Sequence, residues 1–184
     1  MNPSEAKRLL DRMMLQTARL TLRPLEAGDI AAMHALMSDA EIMAFWDVPE
    51  IDDGDLTRAI IEAQLRDMGL GRALYWAMIK RDDGAFVGCC DLSQIDLWHR
   101  RGEIGFMIDK PFWSGGYAFE AMRAVLAHAA EGLELRRLSA RVHLGNARSV
   151  RLLERLGFRE EGLLRGYIAR AGERRDCLVF GLLL

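Results

Sequence analysis

The run Trp113-Ser114-Gly115-Gly116-Tyr117-Ala118 joins a segment of strand character at 103–108 to one of helical character that starts near Gly116. Small residues at a helix start let backbone N–H groups approach an anion and point at it, and the helix dipole adds favourable potential there. That geometry suits a diphosphate. The same pattern also makes a simple tight turn, and nothing in the run itself separates the two readings. No Lys-Ser or Lys-Thr follows in P-loop spacing, and the Gly-x-Gly-x-x-Gly spacing of a dinucleotide site is absent. ATP and NAD sites lose ground accordingly. Further along, Asn146 stands immediately before a second helical segment and is placed to cap it.

The elements that must position these residues follow from periodicity. Residues 4–16 read as a short appended helix, with Ser4 as N-cap and Leu9, Leu10, Met13 and Met14 at helical spacing. Residues 20–25 alternate as a first strand, and 28–37 form a helix with Ile30, Met33 and Leu36 on its apolar face. The segment 45–55 contains Trp46, Pro49 and aspartates, lacks either period, and reads as a loop; a helix from about 55 to 68 then ends at Gly69 and Gly71. Three short apolar runs, 74–79, 86–92 and 103–108, make an antiparallel meander. A helix over 116–131, a strand over 138–142 and a helix over 147–156 stopped by Gly157 come next. Two last strands, 163–169 and 176–183, close the chain as a hairpin. Strands and helices alternate, so the class is α/β or α+β with one mixed sheet.

Composition narrows the function. The 184 residues suffice for one core, and 25 Lys and Arg against 27 Asp and Glu leave a net charge of −2, which offers nothing to a polyanion. Nucleic-acid binding is not expected. Apolar stretches are broken by charges well short of the roughly 20 residues of a membrane span, and the charged N-terminus lacks a signal-peptide core, so no membrane partner is expected either. Three cysteines, Cys89, Cys90 and Cys177, cannot all pair, which points to a reducing cytoplasm. Met13, Met14, Met33, Met37 and Met43 read as packing residues.

Taken with the segment Asn146-Ala147-Arg148-Ser149-Val150-Arg151-Leu152-Leu153-Glu154-Arg155-Leu156-Gly157-Phe158, the glycine turn resembles the GNAT acetyltransferase superfamily. Within it, the sequence is similar to the branch of ribosomal-protein N-terminal acetyltransferases. That branch commonly carries Trp-Gly-x-Gly-Tyr-Ala followed by Thr-Glu-Ala. Here the run is Trp113-Ser114-Gly115-Gly116-Tyr117-Ala118-Phe119-Glu120-Ala121, with Ser114 and Phe119 as departures and Gly116 and Ala118 at the two positions the family needs small. The final hairpin with Gly172-Glu173-Arg174-Arg175-Asp176 also resembles the branch. The likeness covers roughly 17–184 as one acetyltransferase domain and leaves the 1–16 extension unexplained.

The resemblance implies a strongly twisted mixed sheet of about seven strands flanked by about four helices. Its fourth and fifth strands splay apart to admit the pantetheine arm of acetyl-CoA, the co-substrate, and no metal is expected. On that basis Phe106, Met107 and Ile108 bond the pantetheine amides, Ser114, Gly115, Gly116, Tyr117, Ala118 and Phe119 hold the pyrophosphate, and Asn146 bonds the pantetheine or simply caps its helix. The reaction implied is direct attack of a primary amine on the thioester in a ternary complex. An alkylammonium with a pKa near 10.4 must first lose a proton. Glu103 sits where family members carry a carboxylate base, with Asp91 and His99 as weaker alternatives. The tyrosine that many members use to protonate the leaving thiolate is replaced by Leu153, and Ser149, one turn earlier, matches the serine of the ribosomal branch. Trp46 and Tyr167 are expected to line the acceptor pocket, with Asp47, Glu50, Asp52 and Asp53 offering charge to a cationic amine; a merely solvated acidic loop is the plainer reading. The acceptor is expected to be a protein N-terminal α-amine, or else a polyamine, an aminoglycoside or an amino acid. A non-catalytic acyl-CoA sensor is the alternative class. The oligomeric state is left open, a homodimer included.

Overall fold

The computed structural model describes residues 13–184. Eight strands form one sheet: β1 (Leu15–Gln16), β2 (Leu20–Pro24), β3 (Leu74–Lys80), β4 (Phe86–Asp96), β5 (Arg101–Ile108), β6 (Arg137–His143), β7 (Arg159–Arg170) and β8 (Glu173–Leu183). Their order is β1-β2-β3-β4-β5-β6-β8-β7, and every neighbouring pair is antiparallel except β5 with β6. Four α-helices lie against it: α1 (Ile30–Met37), α2 (Gly54–Gly69), α3 (Tyr117–Ala127) and α4 (Ala147–Arg155).

Strand alternation builds a core on each face of the sheet. On β3, Leu74, Trp76 and Met78 join Leu92, Ile104, Met122, Val125, Leu153 and Phe180 beneath α3 and α4. Ala77 on the opposite face joins Met107 and, from α1 and α2, Met33, Leu36, Met37 and Ile61. The helices have local signals for their ends. The Asp53 side chain caps α2 by accepting from the Asp55 and Leu56 amides at 2.8 and 3.3 Å, and Gly157 at φ 93° stops α4.

The expected helix over 4–16 falls largely on residues outside those described, and its last turn is not helical. Leu15 and Gln16 pair with Leu22 and Thr21, which supplies the eighth strand. The cause is burial: Met13 is fully enclosed in the core, and its carbonyl accepts the Trp76 indole N–H at 2.7 Å. The helix expected to run to 131 ends as α3 at Ala127, and a π-turn over His128–Gly132 follows.

Candidate active site

β5 and β6 pair as parallel neighbours only through Arg101 with Arg137, Gly102 with Leu138 and Glu103 with Ser139. Beyond Glu103 the strands part. β6 continues along β8 as far as His143 opposite Cys177, while β5 continues along β4 to Ile108 opposite Gly88. The β5 edge from Ile104 onward therefore faces a cleft of about 970 Å³, lined on its floor by Ile104, Phe106, Ala140, Val142 and Leu153. An unpaired strand edge is a template for an extended ligand with amide groups.

One end of the cleft opens on the start of α3. Gly116 caps this helix at φ 78°, a left-handed conformation that glycine adopts without steric cost, and Ser114 is held at φ 62°. The turn is pinned from several sides. The Trp113 indole donates to the Ile108 carbonyl at 2.8 Å, the Phe112 and Tyr117 rings meet edge to face at 5.6 Å, and Arg19 donates to the Gly115 carbonyl at 3.0 Å. The opening N–H groups of a helix have no intrahelical partner, so those of α3 are free for an anion. Glu120 in the first turn does not spoil this potential. Burial works against its ionisation, but hydrogen bonds from Thr17 and Arg19 hold its carboxyl below the ordinary value and Arg19 pairs with its charge.

Across the cleft, α4 contributes Arg148, Arg151 and Arg155, which all line it. Spacings of three and four residues put them on one helix face. Arg148 lies 4.4 Å over the Trp113 ring and Arg155 4.5 Å over Phe119, so aromatic stacking aims two guanidinium groups at the α3 N-terminus. These arginines are absent from the sequence expectation, although their spacing was the available signal. A diphosphate fits here: free helix amides on one side, guanidinium groups on the other.

The other half of the cleft carries carboxylates. Asp91 and Ser93 come from β4, Glu103 from β5, and Glu41 and Asp47 from the segment after α1, beside Trp46. Glu103 accepts from Arg141 Nε at 2.8 Å and from Gln94 Nε2 at 3.3 Å, and Arg141 Nη1 also donates to the Tyr167 hydroxyl at 3.2 Å. His143, buried on β6, meets Asp47 at 2.9 Å through Nε2. Burial pushes the Asp91 carboxyl up to about 6; a hydrogen bond from Ser93 pulls it back, and the Glu103 charge adds to the rise.

The structure thus gathers most of the expected site residues in one place. Glu103, Phe106, Met107, Ile108, Ser114, Gly116, Tyr117, Ala118, Phe119, Asn146, Ser149 and Trp46 all line the cleft. Gly115 lies behind the lining with its carbonyl on Arg19. Tyr167 is half exposed and stands behind Arg141 rather than in the cleft wall. His99 sits on the β4–β5 hairpin with Asp96 at 2.7 Å, away from the cleft. The Asn146 side chain accepts from the Ser149 amide at 3.2 Å, so it does cap α4. Leu153 is buried in the core. Among the described residues, no group of three or more His, Cys, Asp or Glu is placed to hold a metal ion, and no helix is long and apolar enough to cross a membrane.

A sheet split at a parallel pair, opening on a helix N-terminus with cations on one flank and carboxylates on the other, is the architecture of a transferase that draws an extended anionic carrier into its sheet. Residues 19–159 match the acetyltransferase (GNAT) domain family. The chain belongs to this family and is an N-acetyltransferase. It is 32% identical over 170 residues, 92% of this chain and 95% of the relative, to an uncharacterized N-acetyltransferase, p20, of Bacillus licheniformis. Among solved structures it is similar to spermidine N-acetyltransferase from Vibrio cholerae in complex with CoA and spermine, with 25% identity, a TM-score of 0.80 and coverage of 89% of this chain and 95% of that one. It also shares the fold of RimL, a ribosomal L7/L12 alpha-N-protein acetyltransferase solved with coenzyme A, at 19% identity and a TM-score of 0.85 over 93% and 98% of the two chains.

Proposed function

We propose that the protein transfers the acetyl group of acetyl-CoA to a primary amine, and that the acceptor is the α-amine of a protein N-terminus. The observation that carries this reading is the meeting, where β5 and β6 part, of a cation-flanked diphosphate site with a carboxylate-lined acceptor half. The α3 N-terminus, Arg148, Arg151 and Arg155 hold the diphosphate, and the β5 edge at Phe106, Met107 and Ile108 aligns the pantetheine amides. The thioester supplies the activated acetyl carbon. The chain's own residues orient the two reactants in one cleft, relieve the amine of its proton through the carboxylates of the acceptor half, and protonate the departing sulfur from Ser149. An α-amine, with a pKa near 7.7–8.0, gives up that proton more readily than an alkylammonium. The likeness in fold to RimL supports this acceptor.

A specific observation favours a second reading. Glu41 and Asp47, with Asp91 and Glu103, line the cleft and give the acceptor half carboxylates that suit a polyamine, the ligand class named for the Vibrio cholerae neighbour. Release of free CoA with N-terminal peptides of ribosomal proteins, spermidine and an aminoglycoside separates the cases. The highest kcat/KM is expected on a peptide; a higher value on spermidine transfers the assignment to polyamines, and tight CoA binding with no release on any amine makes the protein a sensor. Replacement Ser149→Ala is expected to lower kcat by up to about 100-fold while the Kd for CoA from calorimetry stays nearly constant. Unchanged kcat would remove the donor role. We also place the protein in the cytoplasm, since Cys89, Cys90 and Cys177 are all free thiols and two of them are buried.

A further inference from the structure

We propose that Asp91, and not Glu103, takes the proton from the incoming amine; this rests on the acetyl-transfer reading above. Asp91 is in mid-strand on β4, opposite Tyr75 on β3 and Gly105 on β5. Its carboxylate lies directly over the β5 backbone: a Cβ built on Gly105 would come 2.4 Å from Asp91 Oδ1, so the glycine is what leaves room for it. Gly105 is two residues beyond Glu103, the last β5 residue paired with β6. The carboxylate therefore stands where the strands part, at the closed end of the cleft, on the acceptor face.

Glu103 is otherwise engaged. Arg141 and Gln94 each donate to one of its oxygens, and a proton delivered there would disrupt a charge pair that also holds Tyr167. Among the described residues no cation forms an ion pair with Asp91. Burial raises its carboxyl to about 6; the Ser93 hydroxyl, which also lies 3.4 Å from the Glu103 carbonyl, favours the ionised form, and the Glu103 charge opposes it. A base poised near neutrality is effective, and two carboxylates driven apart in this way divide their duties. The other titratable groups facing Asp91 stay neutral or paired. Burial and Asp91 itself push the Tyr75 phenol up to about 12, and burial and Asp91 do the same to the Cys89 thiol. Arg141 is held by Glu103, and His143 by Asp47.

The step balances as follows. The ammonium gives one proton to the Asp91 carboxylate, directly or through one water, and Asp91 later releases it to solvent. The neutral nitrogen forms the N–C bond, the C–S bond breaks, and the second nitrogen proton leaves as the sulfur gains one, yielding an amide and free CoA thiol.

The test is the pH dependence of kcat/KM for the full chain, with acetyl-CoA and the best amine of the panel. The wild type is expected to lose activity as pH falls through about 6, where Asp91 becomes protonated and can no longer accept. D91N is expected to lose about 100-fold or more and to lack that acid limb, with CoA affinity retained. E103Q keeps the limb, whatever its rate, but moves it to lower pH, because the Glu103 charge that helps raise the Asp91 carboxyl is gone. S93A, which removes the hydrogen bond to the ionised form, moves the limb to higher pH, and it tests the assignment even if D91N folds poorly. A limb near pH 6 that persists in D91N, that disappears only in E103Q, or that does not move in S93A overturns the proposal. If the wild type releases no CoA with any amine, the acetyl-transfer reading falls and this inference falls with it; a working wild type with an indifferent D91N removes this inference alone.

Discussion

Replacing Gly116 by glutamate is expected to weaken CoA binding by at least about 100-fold, or about 2.8 kcal/mol. Two effects act together. A side chain at φ 78° adopts the left-handed conformation at a cost of roughly 1–2 kcal/mol, and that strain bears on the turn whose shape aims the α3 amides. The new carboxylate also stands at the helix N-terminus, where it takes up the favourable potential, worth up to about 2 kcal/mol, and repels the diphosphate. The nearest atom to a Cβ at this position is Arg19 Nη2 at 3.5 Å, so the side chain meets no backbone and the fold should survive. Titration calorimetry with CoA reads the effect directly. Gly116→Ala, which brings strain without charge, is expected to fall between the two, and a glutamate variant that binds CoA with wild-type affinity would take the diphosphate away from this turn.

The second large effect is expected at Arg170, which is 7% exposed near the end of β7. Its Nη1 donates to the carbonyls of Met43 and Ala44 at 2.7 Å and of Trp46 at 3.3 Å, and Nη2 lies 3.6 Å from Glu50. One guanidinium from the final hairpin thereby fixes the segment that carries Trp46 and Asp47 into the acceptor half. Truncation to alanine takes a charged donor from three carbonyls at once, with Met43 keeping the Trp46 amide and Ala44 the Arg175 guanidinium, a loss of about 2–4 kcal/mol. At this chain length that is a fall in Tm of roughly 5–15 °C. Catalysis should separate cleanly: KM for the amine rises by about tenfold or more because its wall is no longer held, while the Kd for CoA, bound across the cleft, hardly changes. Arg170→Lys keeps the charge but not the planar fork and should recover only part of the loss. Equal losses in CoA and amine binding would show that Arg170 serves the fold in general and not this wall.

What could be read from the sequence, and what could not, divides by distance along the chain. The glycine turn and the Asn146 cap are local arrangements, and both lie where their residue types indicate. The apolar runs at 74–79, 86–92 and 103–108 lie within β3, β4 and β5, but β4 continues to Asp96 and β5 begins at Arg101, through mostly polar residues that carry no apolar signal. β1 has only two residues, too few for any period, and the helical spacing of Met13 was outweighed by its burial against Trp76. The first half of β7 is nearly all exposed, so alternation gave no sign of it before Leu163. The end of α3 had no proline to mark it, and Gly132 closes the π-turn because a Cβ there would come 2.8 Å from the His128 ring. In the site, the long-range pairs were the invisible ones: Glu103 with Arg141, Asp47 with His143, and Arg170 with three carbonyls more than a hundred residues away. Glu103 and Asp47 are already candidates by type, but their partners, and Arg170 altogether, have no signal along the chain until the sheet order brings them together.

The parting of β5 from β6 also bears on the mechanics of the molecule. Only three residue pairs stitch the strands up to β5 to the ladder of β6, β8 and β7, so the sheet carries a seam at its centre. A ligand that bonds along the β5 edge and rests on α4 closes that seam from within, and so contributes to cohesion as well as to chemistry. Stability and cofactor concentration are then linked by mass action, with each tenfold excess over Kd adding about 1.4 kcal/mol. The amide protons of 104–108 are the part of the sheet whose protection from exchange depends most on what occupies the cleft.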